Sequence, residues 1–341
     1  MAFQDYLDRY LPALEAEMRA IVMASGPSLH DLYGMLRYHM GWEDRGFRPI
    51  TGSQPTGKRI RPVLCLLCCE ARGGDWEQAL PAAAAVELVH NFSLIHDDIE
   101  DGDSTRRGRP TVWSIWGVPQ ALNAGDTLFT LAHLALFRLS DRGVPPETVL
   151  SALQILLQAC LRLTEGQFLD LRFESQEEVS VEDYLFMVAR KTAELLSAAC
   201  ELGALVAGAF PEVRQRLRAF GYHTGIAFQI QDDILGIWGD PAVTGKPVGS
   251  DLRRGKKTFP VLYALSREPA LRDLLPNTAL SSDNLQAAIA LIHRSGAREA
   301  ARERVLEEAD CALQALREAD LSGPAADTLA TLVHQLAFRE R

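Results

Sequence analysis

The chain has 341 residues, 47% of them hydrophobic and 7% aromatic, with 45 acidic against 35 basic side chains and a formal net charge of −10. That balance argues against a general binder of nucleic acid or of anionic membranes, while the apolar content is ample for a large buried core. No apolar run approaches the roughly 20 residues that span a bilayer, and "MAFQDYLDRYLPALEAEMRAIV" carries acids where a signal peptide needs a compact apolar stretch, so no transmembrane segment and a cytoplasmic location are expected.

Helical periodicity dominates. The first predicted helix is 13–22. Next, "TGKRIRP" supplies Lys58, Arg59 and Arg61 just before the apolar run "VLCLLCC". Cys65, Cys68 and Cys69 in that run have no second cysteine or histidine pair at zinc spacing and read as small reduced residues in a buried helix. The helix over 80–101 is apolar almost throughout and ends in four acids, Asp97, Asp98, Glu100 and Asp101, with Asp103 just beyond, followed by Arg106, Arg107 and Arg109. Further helices are predicted over 149–171, 184–209 and 213–238. The first of these contains Gln167 and Asp170, the second Lys191 and Thr192, and the third Gln229, Asp232 and Asp233. Lys246 follows in the loop "VTGKPVG", then Lys256, then helices over 283–296, 298–318 and 324–338. Hairpin signals are absent, and so are repeats and low-complexity linkers. The expected fold is one all-α domain over 1–341, a large helical bundle.

On a helix Asp97 and Asp101 share one face, and Asp98 lies about 100° round. No cation follows at i+4 to relieve them. Taken alone, the cluster is either a solvated helix end or a site for a hard divalent cation such as Mg²⁺. The second pair, Asp232–Asp233, also closes an apolar helix, and two such pairs suggest metal-binding walls inside a bundle. Arginine forks and lysine point charges suit phosphate oxygens. Metals, cations and apolar walls together call for a hydrocarbon diphosphate, and no Walker-type loop supports a nucleotide.

The segments "GKRIRP" (57–62), "ELVHNFSLIHDDIEDGDSTRRGRPT" (87–111), "GQFLDL" (166–171), "KT" (191–192) and "FQIQDDILGIWGDPAVTGKPVGSDLRRGKKT" (228–258) resemble the trans-isoprenyl diphosphate synthases, or polyprenyl synthetases, in order and spacing. The resemblance implies an isoprenoid-synthase bundle with a central apolar cavity, usually a homodimer, using three Mg²⁺ ions. By position, Asp97 and Asp101 would hold two ions and Asp232 the third, with Asp98 and Asp233 in support. Arg106, Lys191 and Lys246 would hold the allylic diphosphate, near Thr192, Gln167, Asp170 and Gln229. Lys58, Arg61, His90 and Arg107 would hold isopentenyl diphosphate, and Lys256 would help close the site. His96, beside Asp97, reads as structural.

The implied chemistry suits these residues. Ions and cations stabilise the departing diphosphate as its C–O bond breaks, the isopentenyl double bond attacks the allylic cation, and the released diphosphate takes the proton. The second motif departs from the family's DDxxD, because Gly236 stands at its last position. Two alternatives are a class I terpene cyclase, which typically has an N-x-x-x-[ST]-x-x-x-E pattern there, and a regulatory subunit, which would lack the first motif.

Phe92 and Ser93 lie five and four positions before Asp97, with Val89 a further turn down. An aromatic at the first position, a small residue at the second and no insertion in the first motif resemble twenty-carbon synthases. Geranylgeranyl diphosphate is the expected product.

Overall fold

The structure, a computed structural model, describes residues 3–23, 26–50, 57, 59–239, 249–253, 255–275 and 282–337. Its helices are α1 (Phe3–Ile21), α2 (His30–His39), α3 (Ile60–Ala71), α4 (Leu80–Glu100), α5 (Val112–Trp116), α6 (Val118–Phe137), α7 (Pro146–Ser175), α8 (Val181–Val188), α9 (Glu194–Val206) and α10 (Pro211–Trp238). They are followed by short helices and by Ser282–Arg294, Ala297–Glu318 and Pro324–Ala337. The all-α class expected from periodicity holds. By compactness the chain divides into two units, Met1–Leu157 with Glu201–Phe210 and Ser322–Ala325, and Gln158–Cys200 with Pro211–Leu321 and Ala326–Arg341.

Three local expectations need correction. α1 begins at Phe3, ten residues before the predicted start, because the buried stripe Tyr6, Tyr10, Leu14 and Met18 carries the helix through Pro12. The predicted helix over 184–209 is broken by a π turn at Ala189–Ala193. A small antiparallel hairpin also exists, β1 (Thr105–Arg106) with β2 (Arg109–Pro110). Its strands are too short to alternate visibly. Its turn residues Arg107 and Gly108 both have positive φ, 52° and 75°, the backbone that tight hairpins require.

In the first unit α4 is the central element. Its residues from Leu80 to Ile95 are buried except His90, and α1, α3 and α6 pack against it. Alanines 82–85 favour the helix and let its neighbours approach. Arg59, at φ 49°, caps the start of α3. Its buried guanidinium donates to Glu87 on α4 and, at 3.0 Å, to Glu15 on α1. Arg59 is therefore a structural tie among three helices.

The hairpin is held to the end of α2. Arg109 donates to the carbonyls of Tyr38 at 3.0 Å and Glu43 at 2.8 Å, and its guanidinium lies 4.0 Å from the Tyr38 ring centroid. The Tyr38 hydroxyl answers with a 2.8 Å bond to the Pro110 carbonyl.

In the second unit Ala297–Glu318 packs along α10, and a core cluster that includes Ile237, Val261, Leu271, Leu285 and Ile292 lies beyond it.

Arg59→Ala strands the Glu87 carboxylate in the core. It should lower the free energy of urea unfolding by about 3 kcal/mol. A loss under about 1 kcal/mol in equilibrium denaturation would show that Glu87 and Glu15 find other partners.

Candidate active site

The acids that close α4 sit at the negative end of its dipole, and its last turn holds no basic residue. Asp97 and Asp101 stack one turn apart, both partly exposed. Asp98 is different. It is 1% exposed and paired with Arg106, Nε to Oδ1, at 2.6 Å. Burial pushes its carboxyl up to about 6 against the opposing pull of Arg106. Arg106 stands on β1, the strand that leaves the acids, and of the three arginines it is the one shown paired with an acid of α4.

Arg61 lies in the first turn of α3, with Nη1 3.5 Å from His90 Nε2. Burial, and then Arg61, Arg107, Arg106 and Arg59, hold the His90 pKa well below its ordinary value, so the neutral ring can accept from Arg61. A Cβ on Gly57 (φ 87°) would meet Arg107 Nη2 at 2.8 Å. Gly57, Arg61, His90 and Arg107 thus belong to one strongly positive locality. His39, which sequence reasoning missed, feels the same field. Burial together with Arg107, Arg106, Arg59 and Arg109 pushes it down to about 3. Lys58 lies outside the described residues.

Below Asp97 on α4, the Phe92 ring meets Phe129 of α6 edge to face at 5.0 Å and His96 at 5.7 Å. Ser93 is buried and donates to the His90 carbonyl at 2.8 Å. Val89 is fully buried.

The second unit carries the other constellation. Lys191 and Thr192 lie in the π turn, a local widening common where helices do chemistry. Lys191 Nζ donates to Asp170 Oδ2 at 2.6 Å. Thr192 Oγ1 donates to Gln229 Oε1 at 2.9 Å, and Gln229 Nε2 donates to Asp233 Oδ1 at 3.2 Å. Asp233 is 4% exposed and also accepts from the Tyr184 hydroxyl and, at 3.1 Å, from the Phe259 N–H. Burial and Asp233 hold the Tyr184 pKa well above its ordinary value, so the phenol keeps its proton. Asp232, next in the chain, remains half-buried.

Two glycines admit the π turn to its neighbours. A Cβ on Gly166 would lie 2.3 Å from the Lys191 nitrogen, and one on Gly225 2.6 Å from Ala193 Cα. Gln167 is buried beside Gly166. The Gly236 carbonyl accepts the Gly249 N–H at 3.2 Å. Lys256 lines a groove of about 1530 Å³ with Arg253, Lys257 and the acidic loop 174–183. Lys246 lies outside the described residues.

Tyr184, the Phe259 N–H and the two glycines were not found by sequence reasoning. Only the Gly221-x-x-x-Gly225 spacing, a mark of close helix approach, could have pointed to any of them.

The exposed carboxylates offer oxygen donors alone, the set that suits Mg²⁺. Among the described residues no group of three His, Cys, Asp or Glu side chains could hold a metal by itself.

Residues 49–292 match the Polyprenyl synthetase family, and the chain belongs to it. It is 45% identical to a geranylgeranyl diphosphate synthase of Mycobacterium tuberculosis over 307 residues, 86% of each chain. It is also 40% identical to a (2E,6E)-farnesyl diphosphate synthase of that organism, over 90% of this chain and 86% of the relative. A solved polyprenyl synthetase from Streptomyces coelicolor superposes with a TM-score of 0.89 at 37% identity, covering 98% of this chain and 99% of the other. The chain is an isoprenyl diphosphate synthase.

Gly166→Ala should lower stability by about 2 kcal/mol by overpacking, read as a fall in thermal midpoint. An unchanged midpoint would mean that α7 and the π turn separate without cost.

Proposed function

We propose that this synthase couples isopentenyl diphosphate to an allylic diphosphate, dimethylallyl, geranyl or farnesyl, in a magnesium-dependent head-to-tail reaction, with geranylgeranyl diphosphate as its main product. The observation that carries the chemistry is the pair Asp97 and Asp101, stacked at the negative end of α4 with no basic residue in the last turn. Their repulsion favours a bound cation.

Asp97 and Asp101 would hold two magnesium ions and Asp232 a third. When bound, magnesium supplies positive charge to the departing diphosphate. Arg106, Lys191 and Lys246 grip that diphosphate, and Asp170 orients Lys191. Thr192, Gln167 and Gln229 line its position. Lys58, Arg61, Arg107 and the neutral His90 orient isopentenyl diphosphate, so the double bond attacks and the proton leaves to the released diphosphate. Lys256 covers the substrates.

Product length follows from the wall on α4. Relatives named for fifteen- and twenty-carbon products match almost equally well, so overall likeness does not decide it. Phe92, braced by Phe129, blocks one side, while the small Ser93 leaves the neighbouring face open and buried Val89 limits further growth.

The chain acts as a homodimer in the cytoplasm. Leu150, Leu157, Leu161 and Phe168 form an exposed stripe along one face of α7. It runs into a groove of about 500 Å³ that Leu169 and Phe186 also line. Phe168→Glu should shift the mass in analytical ultracentrifugation from dimer to monomer.

Incubation with Mg²⁺, isopentenyl diphosphate and each allylic primer, followed by product identification, tests the coupling. Asp97→Ala and Asp101→Ala should each lower kcat by 100-fold or more, about 3 kcal/mol of transition-state stabilisation, with circular dichroism unchanged. Normal turnover in both variants would end the metal assignment. Phe92→Ala should lengthen the product by one or more five-carbon units, and Ser93→Phe should shorten it. An unchanged product distribution in both would remove this wall as the ruler.

A further inference from the structure

Gln229 and Asp233 stand one turn apart on α10 and are bonded to each other at 3.2 Å. Each is also tied to the chain that carries the π turn. Asp233 Oδ2 accepts the hydroxyl of Tyr184 on α8, ahead of the turn, and Gln229 Oε1 accepts the hydroxyl of Thr192, within it. Lys191 is therefore held in a segment tied to α10 at both ends. A π turn is a poorly bonded stretch of helix, so ties from outside determine where its side chains point. Asp233 in turn has little freedom, because the Phe259 N–H grips the same oxygen at 3.1 Å. Asp232 precedes Asp233 directly on α10 and shares the backbone that these bonds anchor.

We propose that Tyr184 is a positioning residue for the coupling reaction: by fixing the Asp233 carboxylate to α8 it sets the presentation of Asp232 and the placement of Lys191 together. The inference rests on the roles given above to Asp232 and Lys191. Tyr184 touches neither substrate nor metal in this scheme. It acts through Asp233 on one side and through the π turn on the other. Loss of its hydroxyl takes one donor from Asp233 Oδ2, while Oδ1 still accepts from a side-chain amide that rotates with it. That amide then pulls on Thr192, so the disturbance travels along the hydrogen-bonded chain.

The test uses the full chain and three variants, Tyr184→Phe, Thr192→Val and Asp232→Ala. Inorganic diphosphate binding is measured calorimetrically across a magnesium series, beside steady-state KM values for the allylic and isopentenyl substrates. Tyr184→Phe should raise the magnesium concentration for half-maximal diphosphate binding about tenfold and raise the allylic KM in parallel. The isopentenyl KM should stay unchanged, because that clamp draws on other residues. Thr192→Val should produce the same paired shift from the other tie, which keeps the inference testable if Tyr184→Phe does not fold. Asp232→Ala, which removes the ligand of one of the three assigned ions, should weaken magnesium-dependent binding at least as much as Tyr184→Phe does. If Asp232→Ala binds as the parent does, the reading of the metal site is wrong. If Asp232→Ala weakens binding while the other two keep parental magnesium dependence and allylic KM, Tyr184 is only a packing residue and the inference falls. A drop in thermal midpoint with all three binding parameters shifting equally would overturn it in the same way.

Discussion

Two carboxylates in succession on an apolar helix cannot both be buried and ionised without donors, and cannot both face water at a helix that must stay in the core. Each DD pair meets this constraint in the same way. The second aspartate is buried and tied down, and the first is left partly open. Asp98 is held by Arg106, while Asp233 is held by Tyr184, Phe259 and Gln229. The open members, Asp97 and Asp232, are the ones assigned to metal. The buried aspartate is thus the fixed point from which its neighbour is aimed, and much of the surrounding structure exists to hold it. β1 carries Arg106, α2 steadies the hairpin through Arg109, and α8 brings up Tyr184.

The same logic sorts the cations. "GKRIRP" places basic residues almost side by side, but Arg59 turns inward at φ 49° to join α1, α3 and α4, whereas Arg61 meets His90. In "STRRGRP", Arg106 pairs with Asp98, Arg107 sits at the hairpin turn, and Arg109 grips the carbonyls of Tyr38 and Glu43. Neighbouring arginines take different roles because backbone conformation, and not charge, decides which direction each fork points. Burial, and then the guanidiniums crowded near them, hold His39 and His90 below their ordinary pKa, and a cluster so positive is ready for an anion with several charges.

One rigid helix also links chemistry to size. Asp97, Ser93, Phe92 and Val89 are all on α4, so the distance from the metal-binding end to the wall is set by helical rise alone. Under the proposed assignment, changing one side chain on that helix would alter the available length without moving the acids.

Composition and periodicity determined much by themselves. The helices, the two acidic turns, and the cations before α3 and after α4 were legible because each is written within a few consecutive residues, at the spacing of one or two helical turns. The family followed from their order. Tertiary structure decided the rest. Asp98 and Asp97 are identical letters, and only burial separates them. Tyr184 lies 49 positions before Asp233 and Phe259 lies 26 after it, so no local pattern marks either as a partner. The π turn likewise has no periodicity of its own. Gly166 and Gly225 let two other helices close on it, and the position of Lys191 depends on packing that the residues around it do not encode.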